Sequence, residues 1–193
     1  MNPGLPCSCR APAVEDGMRR TVIKIAAAGL VAPLSLTPAL AQSKPVAGDR
    51  LVEDEAEGTP TPLRPADIQL GKPLVAFPFD KAAGKARSDS RLNKLVLMRF
   101  AEADLSAESR ARAAGGVLAF SAICTHQACE VKTWLSKEKA LVCYCHSSKF
   151  DLLDSAKVTA GPAGRPLPFL PLALEGDQLV VAGAFSATPG GTS

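Results

Sequence analysis

The sequence predicts an all-β domain, and three features predict it. Apolar residues fall in runs of strand length, such as Leu74–Phe79, Val117–Ile123 and Gln178–Ala182, without helical periodicity. Glycine, proline and short polar clusters punctuate those runs. Only Asp104–Ala114 has helical composition, with Asp104 or Ser106 as N-cap and Gly115-Gly116 as the stop. The 193-residue chain is 47% apolar and 21% charged, an ordinary globular balance with room for one domain.

The front of the chain stands apart from that domain. Arg19-Arg20-Thr21-Val22-Ile23-Lys24 precedes an apolar run, Ile25–Ala41, that closes on Ala39-Leu40-Ala41. Paired arginines, a modest apolar segment and a small-x-small ending read as a twin-arginine export signal over residues 1–41. The expected location is the periplasm, with cleavage after Ala41. A membrane-spanning helix wants about 20 predominantly apolar residues. This run is shorter, alanine-rich and interrupted by Gly29, Pro33 and Pro38. Its retention as an inner-membrane anchor is the alternative. Met18 sits directly before the arginine pair, so residues 1–17, with Cys7 and Cys9, read as an over-extended start without function.

Residues 42–63 are rich in Pro, Thr and acids around Glu53-Asp54-Glu55-Ala56-Glu57. Such a segment buries little apolar surface and is expected to be a flexible linker; an acidic docking patch is the other reading. A net charge of +3, without aromatic-basic interleaving, argues against a nucleic-acid partner.

Folded structure is expected over residues 64–185. Leu74–Phe79 and Leu92–Phe100 read as strands separated by a polar loop, Lys81–Ser90. Val117–Ile123 reads as a buried strand. Val131–Trp134 and Ala140–Val142 form a hairpin around Ser136-Lys137-Glu138-Lys139. Lys157-Val158-Thr159 and the proline-rich Gly161–Pro171 follow. Leu170–Leu174 and Gln178–Ala182 make a last hairpin that turns at Glu175-Gly176-Asp177, and residues 186–193 read as a disordered tail. Phe120, Trp134 and Phe185 are assigned to packing rather than chemistry.

The chemistry lies in Cys124–Ser148. Cys124-Thr125-His126-Gln127-Ala128-Cys129 precedes the hairpin and Cys143-Tyr144-Cys145-His146-Ser147-Ser148 follows it. Both histidines of the chain, and four of its six cysteines, fall here. Two thiolates and two neutral imidazoles suit iron or zinc. A structural Cys2His2 zinc site takes the same four ligands but leaves Cys129 and Cys145 unexplained. A c-type haem is excluded, because Cys143-Tyr144-Cys145-His146 lacks the two-residue gap.

This pattern resembles the Rieske iron–sulfur family in its disulfide-containing form, whose [2Fe–2S] cluster has two histidines in place of two cysteines on one iron. The resemblance implies one cluster per chain, with Cys124 and Cys143 on one iron and His126 and His146 on the other. It implies a disulfide between Cys129 and Cys145. It continues through Ser147-Ser148-Lys149-Phe150-Asp151 and at Gly161-Pro162-Ala163, the family's loop over the cluster. The implied fold is an antiparallel sandwich or barrel base carrying a small cluster-binding subdomain.

In the family the hydroxyl at Ser148 donates to a bridging sulfide, and a tyrosine two residues later donates to a ligand cysteine. Here that second position is Phe150, so one donor is missing. A turn residue is the plainer role for Ser148. The usual apolar residue after the first histidine is Gln127, and the usual glycine after the second is Ser147. Both departures count against a quinol-oxidising cytochrome bc complex. Loss of the tyrosine and a cleavable twin-arginine signal resemble the small Rieske subunits of periplasmic molybdenum oxidoreductases such as arsenite oxidase. The implied function is electron transfer between a catalytic large subunit and a cytochrome or similar acceptor. The alternative is the iron–sulfur subunit of a quinol–cytochrome c reductase. No substrate-binding domain accompanies the motif, so catalysis is expected to reside in a partner.

Overall fold

The computed structural model describes residues 44–54 and 60–191. The export-signal and anchor readings of residues 1–41, and the centre of the acidic run, lie outside the described residues. Among these, twelve strands follow in order: β1 (Arg50–Glu53), β2 (Leu74–Asp80), β3 (Lys85–Ala86), β4 (Leu95–Arg99), β5 (Val117–Ser121), β6 (Thr133–Leu135), β7 (Ala140–Cys143), β8 (Ser148–Asp151), β9 (Lys157–Ala160), β10 (Phe169–Leu170), β11 (Leu172–Glu175) and β12 (Gln178–Val181). The chain is all-β, as expected.

Eight strands form the base, ordered β10-β5-β4-β2-β1-β12-β11 with β3 paired to β2. Its two path ends, β10 and β11, are separated in sequence only by Pro171, so the sheet curls into a nearly closed barrel. The other four strands form a meander, β6-β7-β8-β9, inserted between β5 and β10. All ladders between named strands are antiparallel.

Successive side chains of a strand point to opposite faces, and both faces of β4 and β5 are covered. Leu95, Leu97, Val117 and Ala119 join Leu51, Leu170, Leu179 and Val181 in one core. Val96, Met98, Leu118 and Phe120 join Leu141, Phe150, Leu152 and Leu167 in a second, which the meander shares. Each large side chain buried this way contributes about 1.5–3 kcal/mol. The second core therefore anchors the meander to the base through β4 and β5.

Four sequence expectations need correction. The segment expected to be a linker contains β1, which pairs with β2 on one side and β12 on the other and buries Leu51 and Val52. Its acids have partners: Asp49 is gripped by Arg87 at 2.7 and 3.0 Å, and Asp54 meets Lys94 at 2.9 Å. The polar loop Lys81–Ser90 contains β3, folded back on β2 with Phe79 opposite Ala86. The helix shrinks to α1 (Ala107–Arg110), capped by Ser106, whose Oγ accepts the Ser109 amide at 3.1 Å. A single turn does not stand alone in water; Ser109 Oγ ties this one to the Leu153 carbonyl at 3.0 Å. Finally, residues 186–191 are a strap rather than a disordered tail: the Ser186 amide donates to the Phe169 carbonyl, and the Phe169 amide to Ser186 Oγ.

Candidate metal centre

The first motif loop leaves the base just past β5. The Cys124 amide donates to the Cys129 carbonyl at 2.8 Å, and the Ala128 amide to the Cys124 carbonyl at 3.0 Å. These bonds close the loop into a tight ring, with Ala128 left-handed at φ 56°. Thr125 is buried, and its Oγ1 donates to the Arg165 carbonyl at 2.7 Å.

The second loop is the turn from β7 to β8. Cys143 and Ser148 face each other across the ladder, leaving Tyr144–Ser147 to make the reversal. Ser147 has φ 60°, the left-handed region that glycine occupies without strain. Cys129 and Cys145 form a disulfide between the loops, with Cα atoms 6.6 Å apart.

The third loop, Gly161-Pro162-Ala163, lies directly against the second. A Cβ on Gly161 would sit 2.5 Å from Ser148 Cα, and the residue has φ +83°, so only glycine fits. The Ala163 amide donates to Ser148 Oγ at 3.1 Å.

The first two loops bring the expected ligands together in two pairs, thiol with thiol and ring with ring. Cys124 and Cys143 are free, buried thiols beside one another. Burial first, and Cys143 in addition, push the Cys124 thiol up; the His126 and Gln127 amides at its sulfur pull the other way. The His126 and His146 rings stand edge-to-face with centroids 4.7 Å apart. His146 is exposed and His126 half-buried. Cys143 Sγ also lies within 4.8 Å of both disulfide sulfurs, but bonded cysteines offer no thiolate and that trio is not a ligand set.

One atom tests the fit to a metal. His126 Nδ1 is buried and has no hydrogen-bond partner. An orphaned buried polar atom costs about 1–3 kcal/mol. A metal ligand has this requirement by design: a lone pair sheltered from water, ready to be satisfied by the ion. Ser148 and Phe150 are wholly buried under the second loop. Phe150 contributes its ring to the second core and no donor.

Thr125, Arg165 and the strap escaped sequence reasoning. Their importance comes from contacts across 23 to 40 residues of chain, and no local pattern announces them.

A family model for the Rieske [2Fe-2S] domain matches residues 81–171. The chain is 35% identical over 115 residues to the cytochrome bc1 complex Rieske iron-sulfur subunit of Streptomyces lividans, covering 58% of this chain and 68% of that protein. It is 31% identical over 188 residues to a protein of Haloferax mediterranei named as a Rieske subunit of respiratory nitrate reductase, covering 90% of this chain and 81% of that one. The chain belongs to the Rieske [2Fe-2S] family.

The Rieske cofactor is a [2Fe–2S] cluster, and this chain is an iron–sulfur electron-transfer protein. Matching bc1 subunits from Streptomyces coelicolor and Mycobacterium bovis are longer, and this Rieske chain spans about a third of their length. Among solved structures, the soluble domain of Rieske protein II from Sulfolobus acidocaldarius matches at 22% identity and a TM-score of 0.37, over 49% of this chain and 65% of that one. Among the described residues no helix is long and apolar enough to cross a membrane.

Proposed function

We propose that this chain is an exported electron-transfer subunit, carrying one electron between a periplasmic oxidoreductase and a cytochrome-type acceptor. Cys124 and Cys143 hold one iron, His126 and His146 the other. A [2Fe–2S] cluster in this setting takes up and returns one electron without a substrate bond being made or broken. The protein's part is to hold, shield and tune. The first and second loops fix the thiols in a buried position, the disulfide ties those loops together, and the third loop covers them. Neutral imidazoles leave the site less negative than four thiolates, which favours reduction.

The observation that carries this reading is the asymmetry of the site. Both thiols are buried, while His146 is exposed with the His126 ring against it. That exposed edge is the natural contact for a redox partner. Gln127 and Ser147, in place of the apolar residue and glycine of quinol-oxidising members, count against a quinol-oxidising complex, and Phe150 in place of tyrosine favours a molybdenum-enzyme partner. The resemblance to bc1 subunits supports the second reading, the iron–sulfur subunit of a quinol–cytochrome c reductase.

The test is purification from the native host. The expected material is red-brown and periplasmic, begins after Ala41, carries two irons and two acid-labile sulfides, and co-purifies with a molybdopterin large subunit. Membrane-bound protein with Ile25–Ala41 attached and cytochrome b alongside establishes the second reading. One zinc and no visible absorbance overturns both.

A further inference from the structure

The strap ends against the first ligand loop. Gly190 is buried with φ +93°, and a Cβ built on it would lie 3.5 to 3.9 Å from Leu92, Ala128 and Ile123. Gly191 comes nearer still: a Cβ there would be 2.4 Å from the His126 carbonyl oxygen and 3.3 Å from Gln127 Cα. Gly190 thus supplies a left-handed backbone, and Gly191 lets the chain pass along the His126 backbone at a separation that no side chain permits.

Ser186 ties the start of the strap to Phe169, and Arg165 holds its end. Arg165 Nη2 donates to the carbonyls of Thr188 and Gly190, at 2.7 and 2.6 Å. The Arg165 carbonyl receives Thr125 Oγ1, from the residue between Cys124 and His126. Arg165 itself follows the third loop by two residues. It therefore joins three pieces that are distant in sequence: the third loop, the first ligand loop and the C-terminal strap. Its side chain acts on strap backbone and its backbone on the ligand loop, so a change at either end reaches the other.

We infer that Arg165 and the Thr188–Gly191 strap are positioning elements for the first ligand loop, fixing the His126 backbone and shielding it from water. This rests on the ligand assignment proposed above. Arg165 touches none of the ligand atoms. Its effect runs through Thr125 on one side and Gly191 on the other. A guanidinium serves here because the two hydrogens of its Nη2, fixed in the guanidinium plane, reach two carbonyls at once, which a freely rotating ammonium does with less preorganisation.

The experiment compares iron-loaded mature protein with four variants: Arg165→Ala, Arg165→Lys, Gly191→Ala and a chain ending at Ala187. The readouts are amide hydrogen exchange at Thr125–Ala128, the electron paramagnetic resonance g-values of the reduced protein, and cluster loss to a chelator. Charge-assisted hydrogen bonds to carbonyls are strong enough that Arg165→Ala and the shortened chain should speed exchange at Thr125–Ala128 roughly tenfold. Both should shift the g-values and speed cluster loss, and Arg165→Lys should fall between wild type and alanine. Gly191→Ala should reproduce the loosening with Arg165 intact. Combining Arg165→Ala with the shortened chain should add little to either alone, because both break the same link. Unchanged exchange and g-values in the shortened chain overturn the inference. So does exchange that rises equally in β4 and β5, because that marks general destabilisation. A preparation holding zinc refutes the ligand assignment instead, and exchange at Thr125–Ala128 still decides the role of the strap.

Discussion

Ser148 Oγ accepts the Ala163 amide at 3.1 Å, joining the second loop to the third across 15 residues of sequence. The hydroxyl is wholly buried, and this bond fixes its direction. With a lone pair occupied by Ala163, the hydroxyl keeps its proton to donate. We propose that it donates toward the cluster, the role that the family resemblance implies.

Ser148→Ala should lower the reduction potential and Phe150→Tyr should raise it. A hydrogen bond to a charged acceptor is worth about 1.5–3 kcal/mol, and about 59 mV accompanies each ~1.4 kcal/mol for a one-electron couple, so shifts up to roughly 100 mV are expected. Phe150 is buried, so its new hydroxyl reaches the ligand cysteine or stays unpaired and destabilising. Voltammetry of the three proteins at one pH, below the histidine titrations, checks this. Shifts under a few tens of millivolts in both contradict the transfer of those two roles.

Ser147→Gly should stabilise the loaded protein and Ser147→Val should destabilise it. A left-handed residue other than glycine costs about 1–2 kcal/mol, part of which returns as the greater chain entropy of glycine in the unfolded state. The net gain for glycine is about 0.5 kcal/mol. Denaturant unfolding followed by visible circular dichroism measures it; a glycine variant less stable than wild type refutes the strain argument.

Gly161→Ala should weaken the cluster site more than the base. The new methyl would meet the Ser148 backbone at 2.5 to 2.7 Å, so the third loop must move and the Ala163–Ser148 bond stretch. The cost should exceed about 1 kcal/mol. Faster cluster loss with near-wild-type far-ultraviolet dichroism is the expected pair of results.

Replacing Cys129 and Cys145 together by serine should loosen the two motif loops. For a separation of 16 residues the disulfide contributes about 3 kcal/mol in the chain-entropy account. Lower thermal stability, together with faster loss of iron to a chelator, is expected. Wild-type persistence of the colour in the double variant counts against a shielding role.

The centre was legible because its chemistry demands particular residue types at close spacing. Cys124 with His126, Cys143 with His146, and the spare Cys129 and Cys145 leave few alternatives when the chain has two histidines. The first hairpin of the meander, β6 with β7, was legible from short apolar runs flanking a polar turn, and the last hairpin from Glu175-Gly176-Asp177; β8 was not, because Ser148–Asp151 was read as motif and not as strand. The helix was over-extended, because Asp104–Ala114 has helical composition while its order depends on Ser109 meeting the Leu153 carbonyl.

From sequence alone came the all-β class, the family resemblance, and the residues proposed to hold the metal. Tertiary structure alone decided where the domain begins, through β1, and what its last residues do. Leu51-Val52 sits among acids and reads as linker until β2 and β12 supply backbone partners on both sides. Thr188–Gly191 has no apolar periodicity, and Arg165, 23 to 25 residues earlier, holds it by reaching two of its carbonyls. Backbone hydrogen bonds carry no side-chain signature, so a segment ordered by them is visible only once the partner strand or loop is in place.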